Sequence, residues 1–443
     1  MKIGFVSLGC PKNQLDTEVM LHELMAAGYE VTPEETEADI IVINTCAFIE
    51  SAKQEAIDNI LDVAWLKENH TLKGIVVTGC LAERYRDELF TELPEIDAAL
   101  GVGSIHAIVD AVKAVEKGEK FSEFAPKDEV HLGGDRVLTT PEYTAYLKIA
   151  EGCDNRCAYC AIPAIRGRFR SRAMEDIVSE AKDLEALGVK ELVIVAQDIT
   201  RYGQDIYGKY SLAKLLQAIT DATAIPWIRL LYCYPDKMTD ELVAEIRDND
   251  RILKYVDLPI QHASDRMLTA MNRHGDRAMI DEVIDRLRRE VPGIVIRTTF
   301  IVGFPGETEE DFAELCAFVR EKKFEHAGVF PYSREEGTPA YDMPDQIDEQ
   351  LKQDRADILM REQQAVVDEY LAAKVGQTIC VLVEDFDPVS EAHYGRSAAD
   401  APEIDGKIFF VSPVRIAPGS FVDVKITDVQ DYDLVGKAIL PKK

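Results

Sequence analysis

The sequence predicts an α/β chain of several domains: an open parallel sheet, a partial barrel of six βα units, and a small all-β barrel at the end. Three observations carry that prediction. Apolar strand-like runs alternate with amphipathic helical stretches over roughly the first 120 residues, the pattern of a parallel sheet. The same alternation resumes at Tyr143 and continues to about residue 335. Beyond Gly376 it gives way to short alternating segments separated by turn residues. With 443 residues the chain is also too long for one core, and two to three domains are expected.

In the first domain, 1–120, strands are expected at 3–8, 39–44, 74–78 and 98–102, with helices at 14–27, 49–66 and 83–93. Asn13 or Asp16 is suited to cap the first helix, and Gly28 to end it. No GxGxxG follows the first strand, so a dinucleotide site has little support. Residues 118–142 lose periodicity, carry Gly, Pro and charge, and read as a linker. In the second domain, 137–370, strands are expected at 145–149, 192–196, 227–231, 255–258, 295–300 and 326–331. Helices at 174–187, 212–222, 240–248, 277–290 and 309–322 separate them. Six such units fall short of the eight that close a barrel. A long charged helix follows over 346–374, and the last domain, 375–443, places β segments at 378–384, 407–411, 421–429 and 433–439.

Basic residues number 50 and acidic residues 80, a net charge of −30. Such a surface repels a phosphate backbone and favours a basic protein partner. Hydrophobic residues make up 47% and charged residues 29%, an ordinary globular mix. No run approaches the ~18 apolar residues of a membrane helix, and MKIGFVSLGCPKN lacks the features of a secretory signal. A cytoplasmic protein with no membrane partner is expected.

Nine cysteines in a reducing compartment are read as ligands or core residues before disulfides. Cys153, Cys157 and Cys160 form a CxxxCxxC loop directly after the first barrel strand. Three thiolates so close can wrap a cuboidal iron–sulfur cluster and leave one iron without a protein ligand, where a substrate or cofactor can chelate. A zinc site completed from elsewhere is the alternative, although no second CxxC accompanies it. Cys10, Cys46 and Cys80 stand 36 and 34 residues apart, yet each follows a predicted strand: KIGFVSLGC, DIIVINTC and GIVVTGC. The strand ends of a parallel sheet open on one edge, so these thiols are expected to converge. Gly9 and Gly79 ease the turns there. Burial could account for one such cysteine; three at matching positions argue for a second cluster. Cys233, Cys316 and Cys380 lack that placement and read as core packing.

A CxxxCxxC loop after the first strand of a partial βα barrel resembles the radical-SAM superfamily. The resemblance implies that the open iron binds the amino and carboxylate groups of S-adenosylmethionine (SAM), whose one-electron reduction yields a 5′-deoxyadenosyl radical. Ile301-Val-Gly-Phe-Pro-Gly-Glu-Thr308 resembles the superfamily's segment along the SAM adenine. Gly303, Phe304, Pro305 and Gly306 are therefore candidate SAM contacts, with a plain βα turn as the alternative. Gln197-Asp198 and Gln261-His262 follow the second and fourth barrel strands, where barrel sites are built. Gln197 and Gln261 are candidates for contact with SAM or substrate, or else satisfied polar strand ends.

Two three-cysteine sets followed by a small β-barrel resemble the methylthiotransferases over nearly the full length. That resemblance implies a flavodoxin-like N-terminal domain holding the second cluster, a radical-SAM core and a C-terminal TRAM barrel. The implied cofactors are two 4Fe-4S clusters and SAM, with no catalytic side chain beyond the cluster ligands. The implied reaction replaces the hydrogen of an unactivated C–H bond with a methylthio group. Ser7-Leu-Gly-Cys-Pro-Lys-Asn13 and the stretch CAIPAIRGRFRSR from Cys160 to Arg172 resemble one branch of that family. Its substrate is the β-carbon of an aspartate on small-subunit ribosomal protein twelve; the tRNA adenosine branch reads closer to GCQMN at the first of these. From residue 376 on, seven Lys/Arg face eleven Asp/Glu, unlike a barrel built to grip RNA. That acidity suits a basic ribosomal protein, or merely follows the chain-wide bias. Arg156, Arg166, Arg168, Arg170 and Arg172 form the one basic concentration. They could read RNA phosphate, hold the SAM carboxylate, or pair with acidic residues of this chain. Expected partners are that ribosomal protein, a sulfur donor, and an electron donor such as flavodoxin or ferredoxin. The competing readings are tRNA modification and a non-catalytic cluster protein for electron transfer or iron sensing.

Overall fold

Strands β1 (Lys2–Ser7), β2 (Glu30–Thr32), β3 (Ile40–Thr45), β4 (Gly74–Gly79), β5 (Ala98–Leu100) and β6 (Phe121–Glu123) form the first sheet. Their order is β2-β1-β3-β4-β5-β6 and every pairing is parallel, the flavodoxin-like arrangement with one added edge strand. The computed structural model describes residues 1–129 and 132–440; Val130 and His131 of the expected linker, and residues 441–443 of the expected last domain, lie outside them. β3 and β4 are buried at every position, because helices cover both faces. Ile41, Ile43, Ile75 and Val77 pack on one side with Ala56, Ile60 and Val63 of helix Glu50–Asn69. Ile40, Val42 and Val76 pack on the other with Met20 and Leu24 of helix Pro11–Ala26.

Several local expectations need correction. The first helix starts at Pro11 with Cys10 as its N-cap, so neither Asn13 nor Asp16 caps it. Proline's fixed φ suits the first helical turn, and both polar side chains thereby fall inside the helix, facing inward. Gly28 does close it, at φ +92°, its N–H donating to Met25 O. The expected helix at 83–93 is broken at Arg86 (φ 45°) into Cys80–Tyr85 and Leu89–Glu92. β6 lies inside the expected linker, and β2 and helix Ile108–Glu116 join the domain without having been expected.

The second unit comprises β7 (Thr144–Lys148), β8 (Ala150–Glu151), β9 (Arg170–Ser171), β10 (Glu191–Val195), β11 (Trp227–Leu230), β12 (Ile252–Asp257), β13 (Val295–Val302) and β14 (His326–Pro331). Six of these form an open parallel sheet in the order β14-β13-β12-β11-β10-β7, the expected partial barrel. Leu192 and Ile194 face the surrounding helices, whereas Val193 and Val195 alternate inward with Tyr146, Leu253, Tyr255 and Val295. Helices Leu212–Ala222, Asp240–Asp248, Arg277–Glu290 and Glu309–Lys322 stand where periodicity put them. The long helix is Glu349–Ala372.

Strands β15 (Thr378–Asp387), β16 (Ala392–Ser397), β17 (Ile408–Val411), β18 (Phe421–Gln430) and β19 (Asp433–Ile439) close a barrel in the order β15-β16-β17-β19-β18. β16 was not expected; its sequence AHYGRS lacks the apolar alternation of its neighbours. The segment after β16 enters the open side of the larger barrel. Ala401 joins its interior core, Arg229 Nη1 donates to Ala398 O (3.0 Å), and Tyr255 OH donates to Asp405 Oδ2 (2.7 Å). Glu191, fully buried, accepts from both Arg229 (2.7 Å) and Arg396 (2.6 Å). Cys233 and Cys316 pack in the core as expected, but Cys380 is exposed, since alternation along β15 turns it outward. No helix among the described residues is long and apolar enough to cross a membrane.

Candidate functional site

β1, β3 and β4 are neighbours in the first sheet, and Cys10, Cys46 and Cys80 follow their C-terminal ends. The register pairs Ser7 with Asn44 and Thr45 with Gly79, so the three strands end side by side. Gly9 and Gly79 both take φ near +92°; a Cβ on Gly9 would stand 2.9 Å from the Cys46 Cβ, and one on Gly79 2.3 Å from Asn44 Oδ1. Only glycine fits there. Asn13 stitches the edge together, its Nδ2 donating to Leu8 O (3.0 Å) and Thr45 O (2.8 Å). Arg84 donates to Ala47 O (3.0 Å) and so ties the residue after Cys46 to the helix that starts at Cys80. Cys46 feels the charge of Cys10, and Cys80 feels both Cys10 and Cys46.

The CxxxCxxC loop is clamped differently. The two-residue ladder of β8 with β9 closes its base, and Cys153 N–H donates to Gly167 O (3.2 Å). Ala158 bonds through its N–H to Met271 O (2.8 Å) and through its carbonyl to Ala340 N–H (2.9 Å). Cys157 Sγ lies 3.9 Å from the Tyr234 hydroxyl and 3.7 Å from Arg273 Nη1, whose guanidinium stacks 4.0 Å over the Tyr234 ring. Neither Tyr234 nor Arg273 was singled out by the sequence, since both contacts arise only from the barrel's curvature.

The two sets meet at one seam. Arg166, six residues after Cys160, is buried with its guanidinium 3.6 Å from Cys80 Sγ. It also donates to Asn13 Oδ1 and pairs with Asp16 (2.6 Å) and Glu151 (3.4 Å). Lys148 completes the square, 2.8 Å from Asp16 and 2.9 Å from Glu151. A cavity of about 30 Å³ remains beside them, room for a water or two. Lys148 and Arg166 hold the Glu151 carboxyl well below its usual range against the burial that opposes them. Of the other arginines, Arg170 donates to Lys127 O (2.6 Å), Arg172 pairs with Glu180 (2.7 Å), and Arg168 is exposed near Asp154 (3.5 Å). Arg156 takes a left-handed turn in the loop, and its carbonyl accepts from Asn272.

Burial pushes the thiols of Cys80 and Cys153 up to about 12, and those of Cys46 and Cys160 upward as well. At Cys10 burial acts the same way, but Lys12, Arg166 and backbone N–H groups prevail and lower it. A coordinating metal deprotonates such thiols outright. No group of three or more His, Cys, Asp or Glu among the described residues closes on a single ion. A cuboidal cluster instead offers its irons at separate corners, which suits three thiols held apart on a loop or on a sheet edge. Around the loop, Asn155 Oδ1, Gln197 Oε1 and Gln261 Oε1 are buried without a partner, a fit for a ligand rich in donors such as SAM. Gln197 Nε2 meanwhile donates to Glu151 (2.5 Å), and Gln261, at φ +77°, bridges to Phe300. Gly303 closes on the stem of Lys352, and its N–H donates to Glu307 (2.7 Å). Phe304 is fully buried with Ala158, Met267 and Tyr332, behind the cysteine loop; Pro305 and Gly306 continue the turn, where Gly306 N–H donates to Asp345 O (2.9 Å).

Comparison with known proteins agrees with this geometry. Residues 2–101 match the uncharacterized protein family UPF0004, 147–319 the radical SAM superfamily, and 375–439 the TRAM domain. The radical S-adenosylmethionine methyltransferase TsrM from Kitasatospora setae is similar in fold, with a TM-score of 0.58 over 76% of each chain at 17% identity. Fold and site thus define a radical-SAM enzyme. Ribosomal protein uS12 methylthiotransferase RimO of Pelotomaculum thermopropionicum is 51% identical over 99% of this chain and 100% of its own. That of Thermoanaerobacter sp. (strain X514) is 50% identical over 98% and 99%. The chain belongs to the RimO family.

Proposed function

We propose that this enzyme adds a methylthio group to the β-carbon of an aspartate on ribosomal protein uS12, working in the cytoplasm. The observation that carries the reading is the seam: two three-cysteine sets from separate sheets, joined through Arg166 and its contact with Cys80. Cys153, Cys157 and Cys160 would hold one 4Fe-4S cluster, and Cys10, Cys46 and Cys80 the other. When bound, the clusters and SAM supply a carbon-centred radical on the barrel side and sulfur on the sheet side.

The chain's own residues do the rest. Tyr234 and Arg273 cover Cys157 and exclude water from it. Gln197 and Gln261 at the strand ends, with the turn Gly303–Gly306, would border SAM. The square of Asp16, Lys148, Glu151 and Arg166 fixes one set against the other. The acidic last barrel favours encounter with a basic protein. A sulfur donor and a one-electron donor such as flavodoxin or ferredoxin complete the system.

Anaerobically reconstituted enzyme, with SAM, reductant and a sulfur source, should transfer a methylthio group to uS12, read by peptide mass spectrometry. Absence of the gain on any aspartate would refute the reading, and modification of tRNA adenosine instead would redirect it. Iron analysis should give about eight irons per chain.

A further inference from the structure

Lys12, Lys148 and Arg166 are all buried where the first sheet meets the barrel. Lys148 and Arg166 are compensated by Asp16 and Glu151. Lys12 differs. It is 5% exposed, and among the described residues no carboxylate forms an ion pair with it; its attraction comes from the Cys10 thiol, the Tyr232 side chain and, at longer range, Glu151. Its Nζ stands 3.4 Å from the centroid of the Tyr232 ring. An ammonium is costly to bury without a paired carboxylate, and an aromatic face with a thiol that also serves a cluster offsets only part of that cost.

The position of this pair is informative. Lys12 stands two residues beyond Cys10; Tyr232 stands two before Tyr234, whose hydroxyl lies 3.9 Å from Cys157 Sγ. Lys12 and Tyr232 therefore span from one thiol set toward the other. Tyr232 is held in a left-handed conformation, φ 64°, with its N–H on Asp257 Oδ2 (2.9 Å). Such strain persists where surrounding structure imposes it, and it clusters at ligand clamps.

We propose that the Lys12 ammonium, seated on the Tyr232 ring, binds the side-chain carboxylate of the substrate aspartate and so selects an acidic residue. The proposal rests on the uS12 reading above and deepens it. The β-carbon is bonded directly to that carboxylate, so fixing the carboxylate places the reacting carbon one bond away, between the two sets. Arg166 and Lys148, already neutralised, cannot serve in this way.

The test titrates uS12, and uS12 with the modified aspartate replaced by Asn, against reconstituted wild-type, Lys12→Met and Lys12→Gln enzymes. Wild type should bind the Asp form about tenfold or more tightly than the Asn form; both variants should bind the two forms equally. Iron content, the EPR signals of both centres and the dissociation constant of SAM are measured on the same samples and should match wild type. An undiminished preference for Asp in the variants overturns the proposal. So does a loss of preference accompanied by weaker SAM binding, which would give Lys12 to the methionyl carboxylate. Loss of half the iron would give it to the Cys10 centre and likewise overturn the proposal. If wild-type enzyme leaves uS12 unmodified, the functional reading itself falls, an outcome read by mass without any variant.

Discussion

Cys153, Cys157 and Cys160 sit on one clamped loop of eight residues, whereas Cys10, Cys46 and Cys80 are brought together by three adjacent strands. The loop carries its geometry locally, through a two-residue ladder and backbone bonds to Met271 and Ala340. The strand-end set has no local geometry: its spacing is the spacing of the sheet, held by Asn13, Arg84 and an arginine contributed by the other domain. The difference teaches that one set should survive disturbance of the seam and the other should not.

The largest effect that sharpens this contrast is removal of a thiol. Cys157→Ala should lose about half of the iron and all SAM cleavage. Cys80→Ala should lose the other half, keep SAM cleavage to 5′-deoxyadenosine, and lose methylthio transfer. Equal behaviour of the two variants would break the comparison. Next is Arg166→Met, which leaves Asp16 and Glu151 sharing Lys148 alone. Breaking a buried network of this kind costs about 3–5 kcal/mol. Denaturant titration should show the first domain separating earlier, with the EPR signal of the strand-end set altered and that of the loop set unchanged.

Gly79→Ala ranks third. A β-carbon there meets Asn44 Oδ1 at 2.3 Å and Thr45 O at 2.6 Å, in a left-handed backbone. A cost of about 1–3 kcal/mol and selective iron loss from the strand-end set are expected, read by thermal melting and iron assay. A smaller effect concerns Glu335, which accepts from Arg84 (2.7 Å) and faces Lys53 (3.3 Å). Burial raises its carboxyl, but Ser333, Arg84 and Lys53 prevail and lower it. A depressed carboxylate stabilises fully at neutral pH, and that contribution fades as pH falls below the ordinary carboxylate range through the lowered value. Glu335→Gln should flatten this part of the profile of melting temperature against pH. Smallest is Arg168→Ala at the exposed rim of the loop, which should change stability by less than about 0.5 kcal/mol.

How far the sequence could be read follows the same division. CxxxCxxC is a local pattern and needs no fold to be seen. The other three cysteines became visible only through the rule that parallel strands open on one edge, which turns a fold class into a meeting point. The helices of the barrel stood where 3.6-residue periodicity put them, because each presents one apolar stripe to the sheet. What stayed hidden had a physical reason. β2, β6 and β16 are short or polar segments whose strand state is imposed by a neighbour. Arg273 and Tyr234 reach Cys157 through tertiary folding alone. Asn13 looked like a helix cap but is a staple between strand ends, since Pro11 moved the helix start by three residues.

The segment after β16 has a consequence for exchange of parts between relatives. Its residues sit in the gap left by a barrel two strands short of closure, and Glu191 is satisfied only when Arg229 from one unit and Arg396 from the other both arrive. The terminal barrel is thus the cork of the enzyme as well as its outpost. A hybrid carrying a foreign terminal barrel inherits an open vessel with an unmatched buried charge, unless the residues at 191, 229 and 396 travel together.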